Sequence, residues 1–173
     1  MAELTDFIHI HNDKLNSNSC DILINLFEEY SNETDEVNLT DIKDISEEIL
    51  SIHTEVLKIV INSRNEYYKY CYGKVFPEMN SFEKFIIKKV SPDDEINVDA
   101  FIDVKSYDDA RRFLCFNFYL NNNTGGQTNF LDLTIQPEVG KLLIYPPFWL
   151  FPHQELAPID IPKYTLQTYL HYK

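Results

Sequence analysis

Between Arg112 and Lys173, short apolar runs are cut repeatedly by Asn, Gly and Pro turns, and this constrains the fold more than any other feature. Three of the four glycines, Gly125, Gly126 and Gly140, fall at these breaks. Arg112–Leu120 reads as a strand that runs into Asn121 and then the turn Asn122-Asn123-Thr124-Gly125-Gly126. Gln127–Ile135 resumes extended structure, and Glu138-Val139-Gly140 turns again. Lys141–Tyr145 reads as a buried strand, followed by an aromatic-rich loop from Pro147 to His153. Lys163–Tyr172 alternates as a last strand. Strands of this length with such turns predict an antiparallel sandwich or barrel and not a parallel sheet. Two side chains stand out against this apolar background: His153 in the aromatic loop, and Lys163 at the start of the last strand.

The first half reads differently. Phe7–His11 alternates as a short edge strand, with His9 and His11 on one face, a pair that reads as surface without a third ligand beside it. Asn16–Ser19 supplies caps for a helix from about Cys20 to Tyr30, whose stripe is Ile22, Leu23, Leu26 and Phe27. An acidic loop, Ser31–Asp41, leads to a second helix capped at Ser46 and running to about Tyr72. Its stripe is Ile49, Ile52, Val56, Ile59 and Val60, with His53 beside it as an interfacial histidine. Gly73 and Pro77 end that helix. Phe82–Val90 and Ile96–Val104 read as further strands. The whole is expected to be one mostly-β domain over residues 1–173, with two N-terminal helices packed outside a sheet.

Charge narrows the partners. A formal charge of −13 repels a phosphate backbone, and the basic pairs Lys88-Lys89 and Arg111-Arg112 make no patch to offset it, so nucleic acid is not expected. The three cysteines, Cys20, Cys71 and Cys115, are odd in number and far apart, which predicts reduced thiols. With no leader in Met1–Asp13 and no apolar run of membrane-spanning length, a cytoplasmic protein without membrane contact is expected. There is no Gly-rich phosphate loop, Cys-x-x-Cys pair, His-Glu-x-x-His or nucleophile elbow.

The order of the C-terminal pieces resembles the prolyl 4-hydroxylase-like family of iron- and 2-oxoglutarate-dependent oxygenases. The matching pieces are Arg112 with Tyr119-Leu120-Asn121, then Gly125-Gly126-Gln127-Thr128-Asn129-Phe130. Pro137-Glu138-Val139-Gly140 with Tyr145-Pro146 follows, then His153, then Lys163-Tyr164. The resemblance implies a double-stranded β-helix, or jelly roll. It also implies Fe(II) held by His153, and 2-oxoglutarate whose C5 carboxylate is bound by Lys163 with Thr128. A small carboxylic acid would then lie inside the barrel, and a peptide or protein substrate at its mouth.

The sequence departs from the family at the iron site. One register of the family's His-x-Asp falls on Asp99-Ala100-Phe101 and another on Asn97-Val98-Asp99, so the histidine is missing in both. Asp99 is common to the two and is the expected second metal ligand; neither register completes two histidines and a carboxylate. Gln127 also replaces the usual Glu, and Val90 the usual Tyr. Two functions follow: a 2-oxoglutarate- and Fe(II)-dependent dioxygenase of hydroxylase type, or a catalytically inactive jelly-roll binding or interaction module that has lost the iron site.

Overall fold

The computed structural model describes residues 3–31, 34–42, 46–71, 76, 78–92, 94, 101–130 and 132–173. Among them, ten strands form two antiparallel sheets. In the larger, β1 (His9–His11), β8 (Leu142–Tyr145), β5 (Arg112–Tyr119), β10 (Lys163–Tyr172), β4 (Ile86–Val90) and β2 (Glu36–Asn38) lie side by side in that order. The short β3 (Asn80–Phe82) pairs with the far end of β10. The smaller sheet is β7 (Leu133–Ile135), β6 (Thr128–Phe130) and β9 (His153–Glu155). The two sheets enclose one core and the helices cover a second, which is the double-stranded β-helix with two supporting helices.

Period-two alternation makes both cores from the same strands. Leu114, Phe116, Phe118 and Leu120 point to the helix side, joined by Leu142, Ile144, Leu166 and Leu170. The residues between them point to the smaller sheet: Cys115 and Tyr119 join Leu143, Tyr145 and Tyr169, and meet Phe130 and Ile135. That is why the central strands are buried along nearly their whole length.

Helix α1 (Ser17–Tyr30) is capped by Asn16, whose side chain accepts from the Ser19 backbone N–H at 2.8 Å. Helix α2 (Glu47–Tyr70) is capped in the same way by Ser46. Glu55 ties them together, accepting from Ser19 Oγ at 2.8 Å and from Asn16 Nδ2 at 2.9 Å. Leu23, Leu26 and Phe27 of α1 and Ile52, Val56 and Val60 of α2 fill the outer core. His53 is half-buried and meets the Phe85 ring edge-on at 5.3 Å, an interfacial role.

Some boundaries differ from the sequence expectation. The run Phe82–Val90 is two strands: between them the Glu83 N–H still donates to the Tyr169 carbonyl at 2.8 Å while its side chain accepts from Arg112, and Phe85 turns into the outer core. Gln127–Ile135 is a hairpin of β6 and β7 and not one strand. Phe7 belongs to a 3-10 turn, Leu4–Phe7, leaving His9–His11 as the paired strand. His153 opens a strand instead of lying in a loop. Gly73, Pro77 and residues 96–100 lie outside the described residues, and of the strand expected to Val104 only a bridge at Phe101 is observed. Among the described residues, no helix is long and apolar enough to cross a membrane.

Candidate functional site

The space between the sheets is where the polar side chains converge. Along β10 the inward positions are Lys163, Thr165, Gln167 and Tyr169, and along β5 they are Cys115, Asn117 and Tyr119; all are buried. The smaller sheet answers with Thr128 and Phe130 of β6 and with His153 and Glu155 of β9. These are cross-strand partners, Thr128 with Glu155 and Phe130 with His153. Gln154, between them, turns outward to Asn129.

Lys163 is 1% exposed. Its Nζ donates to the Gly126 carbonyl at 3.2 Å and stands 3.5 Å from Glu155 Oε2. Gly126 has φ +70°, and a Cβ there would come 3.3 Å from Lys163 Cδ, so the Gly-Gly turn makes room for the lysine stem as well as accepting its proton. Burial pushes the Glu155 carboxyl up, but the charge of Lys163, and after it those of His153 and Lys88, outweighs this and holds it below the usual value. Thr128 Oγ1 is 2.7 Å from the Tyr119 hydroxyl, and the pair lies beside Glu155, whose charge bears on Tyr119. Burial raises the Tyr119 phenol first and foremost, keeping it a neutral donor.

His153 is also 1% exposed and sits in an aromatic cage. Its ring lies 4.5 Å from Phe101, 5.0 Å from Phe130 and 5.1 Å from Tyr145, centroid to centroid. Phe101 pairs with it through two backbone hydrogen bonds, which extends the smaller sheet by one position. Nδ1 is 3.4 Å from the Phe151 carbonyl, which can only accept, so this contact puts the proton on Nδ1. Nε2 has no hydrogen-bond partner and faces Asp103 Oδ1 at 3.9 Å. The other oxygen of Asp103 accepts from the Tyr145 hydroxyl at 2.8 Å.

The sequence expectation named His153, Asp99, Lys163 and Thr128. His153, Lys163 and Thr128 all face one interior. Asp99 lies outside the described residues, and the carboxylate beside His153 is that of Asp103. Sequence reasoning missed Asp103, Glu155 and Tyr119. Glu155 stands two residues after His153 in what proves to be a strand, and therefore shares its face.

Iron requires three protein donors in the arrangement that the resemblance implies. The described residues offer two, His153 Nε2 and Asp103 Oδ1, and the apolar ring of Phe101 fills the adjoining place. No group of three or more His, Cys, Asp or Glu side chains suited to a metal stands together among the described residues. The described residues therefore do not make up a two-histidine, one-carboxylate iron centre.

The architecture is that of the prolyl 4-hydroxylases. The viral collagen prolyl hydroxylase from Paramecium Bursaria Chlorella virus-1 superposes with a TM-score of 0.73 at 17% identity, over 96% of this chain and 91% of that one. A prolyl-4-hydroxylase from Pseudomonas putida gives 0.64 at 13% identity, over 96% and 93% of the two chains. A prolyl hydroxylase from Trichoplax adhaerens, solved with a hypoxia inducible factor peptide fragment, gives 0.66 at 17% identity, over 97% and 84%. Likenesses at this identity show the fold. No protein-family model and no curated protein sequence matches the chain.

Proposed function

We propose that this chain is a catalytically inactive jelly-roll binding module that keeps the oxygenase scaffold and its polar interior without the iron chemistry. The observation that carries this is the Phe101 ring packed against His153. In this reading Phe101-Ile102-Asp103 stands where the family has His-x-Asp, displaced from the registers that centre on Asp99. A coordinating imidazole is replaced by a phenyl ring, and the remaining carboxylate is engaged by Tyr145. Lys163, Tyr119 and Thr128 remain as a donor set suited to a small carboxylic acid. A structure of the viral hydroxylase was solved as a 2OG complex, which supports an acid of that kind as the ligand class. The unpartnered, buried Asn117 Oδ1 and Gln167 Oε1 add acceptors to the same face of the larger sheet.

One observation favours a second reading, in which weak metal binding persists: the buried, unpartnered Nε2 of His153 stands 3.9 Å from Asp103 Oδ1. Anaerobic titration with Fe(II) and 2-oxoglutarate separates the two readings. The expected result is no metal-to-ligand charge-transfer band for the parent chain. A band that is lost in both His153→Ala and Asp103→Ala overturns the inactive reading. Phe101→His tests the geometry from the other side, since a new imidazole beside His153 and Asp103 is expected to raise affinity for Fe(II) or Zn(II) by calorimetry.

A further inference from the structure

We propose that Glu155 is an internal ligand of Lys163 and competes with free carboxylates for the barrel interior. This rests on reading the interior as a binding site, as above, and not on whether the chain catalyses anything.

A buried ammonium needs compensation, and Lys163 has three N–H donors to place. The Gly126 carbonyl takes one. The only anion within ion-pair reach among the described residues is Glu155. The contact is loose: 3.5 Å exceeds the roughly 2.7–2.9 Å of a tight charge-assisted hydrogen bond, so attraction holds the pair without locking it. The two partners are also unequal. Lys163 is 1% exposed and fixed at the head of β10, whereas the Glu155 side chain is 27% exposed and reaches toward solvent. Glu155 can therefore turn outward and recover its hydration, and Lys163 cannot. An entering carboxylate would meet a fixed cation and a displaceable anion.

Both anions cannot share the cation comfortably, because two carboxylates in one low-dielectric space repel each other. Binding of an acid is then an exchange, with Glu155 leaving as the ligand arrives. The groups around the cation suit the newcomer. The bond between Tyr119 and Thr128 uses one of their two hydroxyl protons, leaving the other to donate to a carboxylate. The ligand class is a small mono- or dicarboxylic acid, and Glu155 sets its affinity by competing with it.

Metal-free calorimetry with glutarate and 2-oxoglutarate tests the exchange. Glu155→Ala is expected to bind either acid about tenfold to a hundredfold more tightly than the parent chain, the range of one charge-assisted hydrogen bond. The double variant Lys163→Met with Glu155→Ala is expected to lose that gain. Where Glu155→Ala does not fold, Glu155→Gln keeps the size of the side chain and removes its charge. Its melting temperature is then expected to rise with added glutarate more than that of the parent. Equal affinity in parent and variant, a gain that survives in the double variant, or no binding in any of them overturns the competition. The iron titration described above is untouched by these outcomes, so failure here and failure of the inactive reading are separately visible.

Discussion

The two faces of the large sheet are built from the same strands and are chemically unlike. On the helix side, Leu114, Phe116, Phe118, Leu166 and Leu170 belong to the apolar core under α1 and α2, into which Ser63 of α2 brings one small buried hydroxyl. On the barrel side, alternate residues of the same strands are Asn117, Tyr119, Lys163, Thr165 and Gln167, buried almost as deeply. One face is closed by shape; the other holds unpartnered acceptors and a charge that depends on one partner. The difference teaches that burial alone does not locate stability: the outer core holds the fold, and the inner face keeps groups that an apolar core would exclude.

The largest effect is expected on the helix side. Phe116→Ala removes a fully buried ring and should lower the free energy of unfolding by about 3–5 kcal/mol, read from urea melts. Next comes the ion pair of Lys163 with Glu155 on the barrel side. Lys163→Ala leaves Glu155 unpaired, and the loss should fall near the bottom of the roughly 3–5 kcal/mol expected for breaking a buried pair, because Glu155 is 27% exposed. Replacing both, as Lys163→Met with Glu155→Leu, should come within about 1 kcal/mol of the parent, since neither partner is left behind. A double-variant loss as large as that of Lys163→Ala would show that the ammonium is needed in its own right, through contacts such as its bond to the Gly126 carbonyl, and not merely to pair Glu155.

Acid sharpens the same contrast. Glu155 titrates below its usual value of 4.5, with Lys163 outweighing the opposing effect of burial. A carboxyl that is more acidic folded than unfolded adds stability above the unfolded value and loses it as pH falls through the folded one. Glu155→Gln should therefore flatten the fall in stability below about pH 4.5, and a slope identical to the parent's would show that the pair is not felt. The smallest effect is expected at Asn117. Its Oδ1 has no partner, so Asn117→Leu should change stability by less than about 1 kcal/mol, or raise it, where an outer-core truncation would be costly.

Much of the fold was legible because alternation and turns are local properties. Lys163–Tyr172 was read with its observed ends, and the capping side chains Asn16 and Ser46 lie where the helices begin. The site was half legible. His153 and Lys163 stood out as polar residues in apolar surroundings, but Asp103 did not. It follows Phe101 in a stretch with little regular structure, and what brings it to His153 is a single backbone bridge from a distant strand. Glu155 was hidden for another reason: its role depends on β9 being a strand, and three residues are too few to show a period. Asp99 was common to two registers two residues apart, and because a shift of two residues preserves the facing pattern, alternation could not choose between them.

Strand β10 lies between β5 and β4, yet it is the last of the three to be synthesised. Until it arrives, both of those neighbours carry an open edge of unpaired backbone groups, and the barrel has no Lys163. The sheet therefore cannot close progressively from the amino end as translation proceeds. It closes in one late, long-range step that joins segments far apart in sequence, such as Leu166 with Phe118 on one side and Ile87 on the other. Such topology favours slow folding and a nascent chain prone to pairing with other copies. A stalled or prematurely ended chain would lack the middle of its sheet, and not merely its edge.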